Sequence, residues 1–390
     1  MEKVALLKCT EYDVDLIEKK LREGFELLGG DSYLRNLIPE NSKVLLKPNL
    51  LSVVEKGSPV ITHYALFEAV IRIVKEYSSD IVFGDSPGSE DTKRAAETSG
   101  LIKVADRYGV KFADFNDAVH VQVENPLIYK FMNIARAAYE ADVVITLPKL
   151  KAHAMMYYTG AVKNQFGCIP GISKAECHTK LPDAINFSKM LFDINSVVKT
   201  SFAILDGIIA MEGNGPRNGN PKEMDTIIMG ESLTAVDSVA VRLIGYHDVL
   251  TLPFLKAAYD TQWGTVLPEE IEVLGETIEQ MKCDNFKLSR NAKVVNFLTP
   301  SLSRFVTSLT APNPVLVFDK CIGCKKCAEV CPEKPNVITF IKQNGKTIPK
   351  WNYRKCIRCF CCQELCPRGA IVLKEKAIRK LAGLKFKKNI

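Results

Sequence analysis

Residues 1–310 predict an α/β domain, a mainly parallel sheet with flanking helices. The remainder predicts a small α+β domain followed by a basic tail. Three observations carry this. Short apolar runs alternate with helical patterns through the first 310 residues, as strand–helix–strand units do. Four of the runs end in charged or hydrogen-bonding residues beside Gly or Pro. Beyond Pro312 and Pro314, two cysteine repeats hold eight of the 13 cysteines. The expected units are 1–310, 311–373 and 374–390.

The run 4–7 is the first expected strand, followed by an amphipathic helix over 11–28 that stops at Gly29-Gly30. Run 44–46 comes next, then a helix near 63–77. Run 81–83 precedes a helix from 91 to 107. Segment 111–133 predicts antiparallel strands or a hairpin insert. Run 142–146 resumes the alternation, with helices near 157–167 and 183–199. Strands at 202–205 and 226–229, a helix over 233–244 and a strand at 271–274 complete the series. The stretch 286–311 reads as a linker.

Cys321, Cys324, Cys327 and Cys331-Pro332 spell C-x2-C-x2-C-x3-C-P, and Cys356, Cys359, Cys362 and Cys366-Pro367 spell it again. This is the run of bacterial ferredoxin-like domains. One loop wraps three corners of a 4Fe–4S cube, and the fourth thiolate comes from the other run. Two clusters are expected. Cys321, Cys324, Cys327 and Cys366 would hold the first, and Cys356, Cys359, Cys362 and Cys331 the second. Paired C-x2-C also suits zinc, but zinc has no use for the tight third cysteine or the trailing proline. Cys361 fits neither run and reads as a spectator thiol.

Parallel sheets bind ligands beyond the C-terminal ends of their strands. There this chain carries Lys47, Pro48 and Asn49; Asp85 and Ser86; Lys149, Lys151 and His153; and Asp206 with Gly207. Lys47, Lys149, Lys151 and His153 suit a carboxylate or phosphate and are expected in one pocket. Asp85 and Asp206, expected at neighbouring strand ends, suit ordering the lysines, binding a metal or moving protons. The candidate catalytic residues are Lys149, Lys151, His153, Asp85 and Asp206. Lys47, Asn49, Ser86, Lys163, Asn164, Lys174 and His178 are candidates for holding an anionic ligand. The amides at 159–164 suit an anion if they open a helix, although no P-loop or dinucleotide spacing is present. Lys174 and His178 share a face if their stretch is helical. The glycine-rich stretch 212–219 reads as a lid or a connection. Thr234 and Asp237 have capping-box spacing.

Composition is that of a globular protein, 47% hydrophobic and 25% charged. No apolar run approaches the ~18 residues of a membrane helix. The first residues break their apolar run too early for a signal peptide. Cluster thiolates need a reducing compartment, so a cytoplasmic protein of a low-oxygen cell is expected. The net charge of +7 is uneven: +6 over 374–390 and +7 over 312–373, leaving −6 for the rest. The basic end is expected to be solvated or docked on the acidic part, and no aromatic-interleaved nucleic-acid motif accompanies it.

The series Lys47-Pro-Asn49, Gly84-Asp85-Ser86, Pro148-Lys149-Leu-Lys151-x-His153, Gly160-x-x-Lys163-Asn164, Lys174-x-x-x-His178, Leu205-Asp206-Gly207 and Ala235-Val236-Asp237 resembles the domain of unknown function 362 family, often fused to a C-terminal ferredoxin module. The resemblance implies an iron–sulfur protein and no established reaction. The expectation is an oxidoreductase whose ferredoxin module takes electrons from a soluble carrier or oxidoreductase and passes them to a small anionic substrate or cofactor. The alternatives are a non-catalytic electron-transfer or assembly partner, and a non-redox enzyme with structural clusters.

Overall fold

The computed structural model describes residues 1–88, 90–181, 183–288, 312–331, 333 and 335–374. Of the expected linker 286–311 and basic tail 374–390, residues 289–311 and 375–390 lie outside the described residues. So does the side chain of His178.

The strands of the larger part are β1 (Glu2–Lys8), β2 (Val44–Pro48), β3 (Ile81–Phe83), β4 (Lys111–Phe112), β5 (Ala118–Gln122), β6 (Phe131–Ala135), β7 (Val143–Leu147), β8 (Lys149–His153), β9 (Tyr157–Thr159), β10 (Phe202–Glu212), β11 (Asn220–Gly230) and β12 (Ile271–Gly275). One sheet runs β12-β1-β11-β10-β7-β2-β3-β4, with β8 paired to β10 and β9. The pairings are parallel except β1–β11, β10–β11 and β8–β9. The α/β, mainly parallel expectation holds, and β5–β6 form the hairpin expected within 111–133.

All five residues of β2 and of β7 are buried, as strands covered on both faces require. Leu45 and Val144 face one apolar core, while Val44, Leu46, Val143 and Ile145 face the other. The second core takes helices Val14–Leu28, Tyr64–Val74 and Leu101–Tyr108. The first takes helices Ala184–Val198, Leu233–Leu243 and Pro253–Thr261.

Local departures from the sequence reading have local causes. The helix expected over 91–107 is two, Thr92–Thr98 and Leu101–Tyr108, because Gly100 turns the chain at φ +84°. The helix expected over 157–167 begins instead as β9, which pairs back on β8. Only the short turns Ala161–Asn164 and Gln165–Cys168 follow. Helices Gly30–Leu37 and Pro253–Thr261 were not expected.

The cysteine-rich part holds β13 (Asn313–Leu316), β14 (Ile338–Gln343), β15 (Lys346–Trp351) and β16 (Ile371–Lys374), paired antiparallel as β13–β16 and β14–β15. Asn344-Gly345, both at positive φ, closes the β14–β15 hairpin. The two cysteine loops repeat in backbone as well as in sequence. Gly323 (φ 69°) and Lys325 (φ 61°) in the first match Arg358 (φ 62°) and Phe360 (φ 63°) in the second. Among the described residues, no helix is long and apolar enough to cross a membrane.

Candidate functional site

The expected strand-end residues gather on one rim. Lys47, near the end of β2, is fully buried and pairs with Asp85 beyond β3 at 2.7 Å. The second Asp85 oxygen accepts from the Leu50 amide at 2.6 Å. On β8, Lys149 pairs with Asp206 at 2.9 Å and donates to the Tyr12 hydroxyl at 2.6 Å. Asp206 also accepts from Tyr12 Oη at 2.7 Å and from the His63 amide at 3.0 Å. Each carboxylate thus holds an ammonium group through one oxygen and accepts from a neighbouring amide or hydroxyl through the other. Asp85 and Asp206 share the sheet but are not at neighbouring strand ends, because β7 and β2 separate β10 from β3.

Lys149, Lys151 and His153 do not sit in a loop after β7. They form β8, which lies along the far half of β10 (Asp206↔Lys149, Met211↔Lys151). Alternation along β8 sends the three to one face. Lys151 donates to Asn49 Oδ1 and to the Val60 carbonyl, both at 2.7 Å. Among the described residues no ion pair involves it. Burial, then Lys163 and Lys149, hold it far below the ordinary lysine range. Burial also lowers Lys149, against the opposing pull of Asp206.

Asn164 fixes the rim through its side chain, donating to Thr146 Oγ1 at 2.8 Å and to the Lys47 carbonyl at 3.2 Å, and accepting from Asn49 Nδ2 at 3.1 Å. Lys174, on helix Gly171–Lys180, donates to the Ser86 and Pro87 carbonyls. Burial chiefly lowers it, to about 7, with Asp85 opposing. Lys163 is likewise lowered by burial, and Glu364 opposes this. Gly167 passes over the first ion pair so closely that a Cβ there would lie 1.8 Å from Asp85 Oδ1.

The amides at the start of Ala161–Asn164 do not await an anion. Asp237 accepts from Ala161 N at 2.7 Å and Val162 N at 2.9 Å, and from Tyr158 Oη at 2.8 Å. Asp237 caps this neighbouring turn instead of closing a box with Thr234, and Ser232 caps its own helix.

The cysteine-rich part reaches this rim. His153 Nδ1 accepts from the Met155 and Met156 amides, which leaves the ring proton on Nε2. Nε2 faces Glu364 Oε1 at 3.3 Å. Glu364 lies between Cys362 and Cys366, and its carboxylate is within electrostatic reach of Lys163 and Lys151. Next to it, Gln363 donates to Asn214 Oδ1 at 3.1 Å, and its carbonyl accepts from Asn218 Nδ2 at 3.0 Å. The glycine-rich stretch 212–219 is therefore a docking loop. Glu364, Gln363, Tyr12 and His63 were missed in the sequence. Tyr12 and His63 follow β1 and β2 at a distance, four and fifteen residues beyond the strand ends, and Glu364 and Gln363 lie inside the metal-binding run. The rim is filled, and open concavities of about 470 and 360 Å³ lie elsewhere, beside Glu223–Asn285 and beside Gly323.

No disulfide joins any of the thirteen cysteines. The Cys327 thiol neighbours those of Cys324, Cys366 and Cys321. Cys331 neighbours Cys359 and Cys356, and Cys362 neighbours the same pair. Each group draws on both runs, with apolar walls of Val337, Ile338, Ala370 and Ile371. The Ala370 amide donates to Cys366 Sγ at 3.2 Å. Soft thiolates in fours, walled by apolar groups and met by an N–H, fit 4Fe–4S clusters.

A family described as "Domain of unknown function (DUF362)" matches residues 44–242, and a "4Fe-4S dicluster domain" matches 320–370. The thylakoid-associated protein sll1697 of Synechocystis sp. is 31% identical over 305 residues, 78% of this chain and 93% of that protein. Among solved structures, the lactate racemase apoprotein of Thermoanaerobacterium thermosaccharolyticum is 11% identical, with a TM-score of 0.39 over 59% of this chain and 54% of that one. A Thermotoga maritima protein is 14% identical, with a TM-score of 0.32 over 53% of each chain. This chain spans about half of either, and likenesses this slight carry no argument.

Proposed function

Because the chain belongs to the domain of unknown function (DUF362) family and ends in an iron–sulfur electron-transfer module, we propose that it is an oxidoreductase delivering electrons to an anionic substrate or cofactor at the lysine-lined strand ends. The observation that carries this is Glu364. A carboxylate from the cysteine module stands 3.3 Å from His153, among Lys151 and Lys163, where a ligand carboxylate or phosphate would lie.

Cys321, Cys324, Cys327 and Cys366 would hold one cluster, and Cys356, Cys359, Cys362 and Cys331 the other. When bound, such clusters store and pass single electrons. The chain's own residues do the rest. Lys47 and Lys149 are locked by Asp85 and Asp206, which fixes where each ammonium group stands. Lys151 is buried, and its hydrogen bonds among the described residues go to the uncharged Asn49 and Val60, so an arriving anion favours a proton on its Nζ. Anion and proton thus arrive together, and a reduced anion needs both electron and proton. The ligand displaces Glu364, which otherwise fills the rim. Eight cluster thiolates require a reducing compartment, which suits the cytoplasm of a low-oxygen cell.

The filled rim favours a second reading, in which the chain relays electrons to a partner oxidoreductase. Anaerobic purification with loaded clusters, followed by mass spectrometry of retained small molecules, separates the two. The first reading expects a carboxylate or phosphate on the wild type, more on Glu364→Ala, and none on Lys151→Met. No anion on any of the three would leave the relay.

A further inference from the structure

The two cysteine loops face opposite surroundings. The second is covered. Cys359, Cys361 and Cys362 are buried, Gln363 is bonded to Asn214 and Asn218, and Leu365 lies against Gly88. The first is open. Cys324 is exposed and Ile322 is 62% exposed. Beside it runs a groove of about 360 Å³ whose charged lining is Lys320, Lys346 and Arg368 against Asp319, all exposed. Lys325, next to Cys324, adds a further exposed cation.

We propose that this first loop is the docking face for a small acidic electron-carrier protein, so that electrons enter at Cys321–Cys327 and leave at the Glu364 wall. The direction of flow rests on the oxidoreductase reading above; the docking face does not. An exposed isoleucine rimmed by cations gives a small apolar centre and a field that steers an acidic partner. The second loop is buried from Arg358 to Glu364, which leaves the first loop the more open approach for a protein-sized carrier. In the step itself, one electron leaves the reduced carrier, which is oxidised, and enters this chain, which is reduced. No bond forms and no proton moves.

The test uses the full loaded chain, a reduced acidic 4Fe–4S ferredoxin as probe, and the variant Lys320→Glu/Lys346→Glu/Arg368→Glu. Affinity is read by titration calorimetry and reduction by stopped-flow absorbance, at low and high salt. Iron content and reduction by dithionite report that the variant has folded and loaded. The expected result is at least tenfold weaker binding and slower reduction in the variant at low salt. The difference should shrink at high salt, because screening beyond about 8 Å removes exposed attraction. Equal binding and equal rates for variant and wild type overturn the proposal. If the triple variant fails to load iron, Lys346→Glu alone, on the β14–β15 hairpin, is read in the same assays. Charge-dependent docking without any retained anion would keep this face and discard the substrate reading. A retained anion with charge-independent docking would do the reverse.

Discussion

Lys149 and Lys151 stand two residues apart on β8, point to one face, and meet different partners. Lys149 neutralises Asp206, whereas Lys151 rests on an amide oxygen and a carbonyl. Removing one member of a buried pair leaves the other charge uncompensated. Lys149→Met should therefore cost about 3–5 kcal/mol. Lys151→Met leaves no carboxylate stripped of an ion pair among the described residues and orphans two acceptors, a loss of about 1–3 kcal/mol. Urea unfolding of both at pH 7 checks the order, and a Lys151→Met protein less stable than Lys149→Met refutes it. The difference is Asp206, whose pairing across β10 and β8 is a long-range fact that spacing does not carry.

At the scale of elements, the rim depends on a turn between two short helices. Gly167 leaves room for the Lys47–Asp85 pair; a Cβ there would also lie 2.6 Å from Lys47 Nζ. Gly167→Ala should separate the pair and lower stability by about 3 kcal/mol or more. Gly109→Ala, at φ +70° with open space around it, should cost only about 1–2 kcal/mol of backbone strain. Thermal melts of the two variants decide, and equal losses would mean that the pair tolerates the intrusion. What was legible at this scale follows period and punctuation. Every strand expected in 1–310 exists, and so does the hairpin expected within 111–133. β8 and β9 were not legible. Lys-Leu-Lys-Ala-His looks like a polar loop until β10 extends far enough to receive it. The continuation of β10 from 206 to 212 was hidden by Asp206-Gly207, ordinarily a place where a strand stops.

Across the whole molecule, the cysteine runs bind the module to itself. Cys331 belongs to the first run in sequence and to the second in space. Cys331→Ser should disturb the cluster built on Cys356, Cys359 and Cys362, leaving four of eight irons and one reduced EPR signal. Loss of the signal from the cluster on Cys321, Cys324 and Cys327 alone would contradict the interlocked arrangement. The cysteine spacing was fully legible in the sequence; the attachment of the module to the larger part was not. The expected solvation or docking of the basic tail lies outside the described residues; the described contacts between the two parts run through the uncharged Gln363, Asn214 and Asn218 and through Glu364 with His153.

Gln363 and Glu364 have a consequence for how such a chain can be rebuilt. They lie between two metal-binding cysteines, so the seam between the halves is written inside the loop that wraps the metal. A free-standing dicluster protein grafted onto residues 1–288 would bring its cysteines but not these two side chains. Asn214, Asn218 and His153 would lose their counterparts. The halves are two domains by family and one inheritance by contact: neither can be exchanged like a cartridge, and drift at 363 or 364 must be answered some 150 or 200 positions earlier.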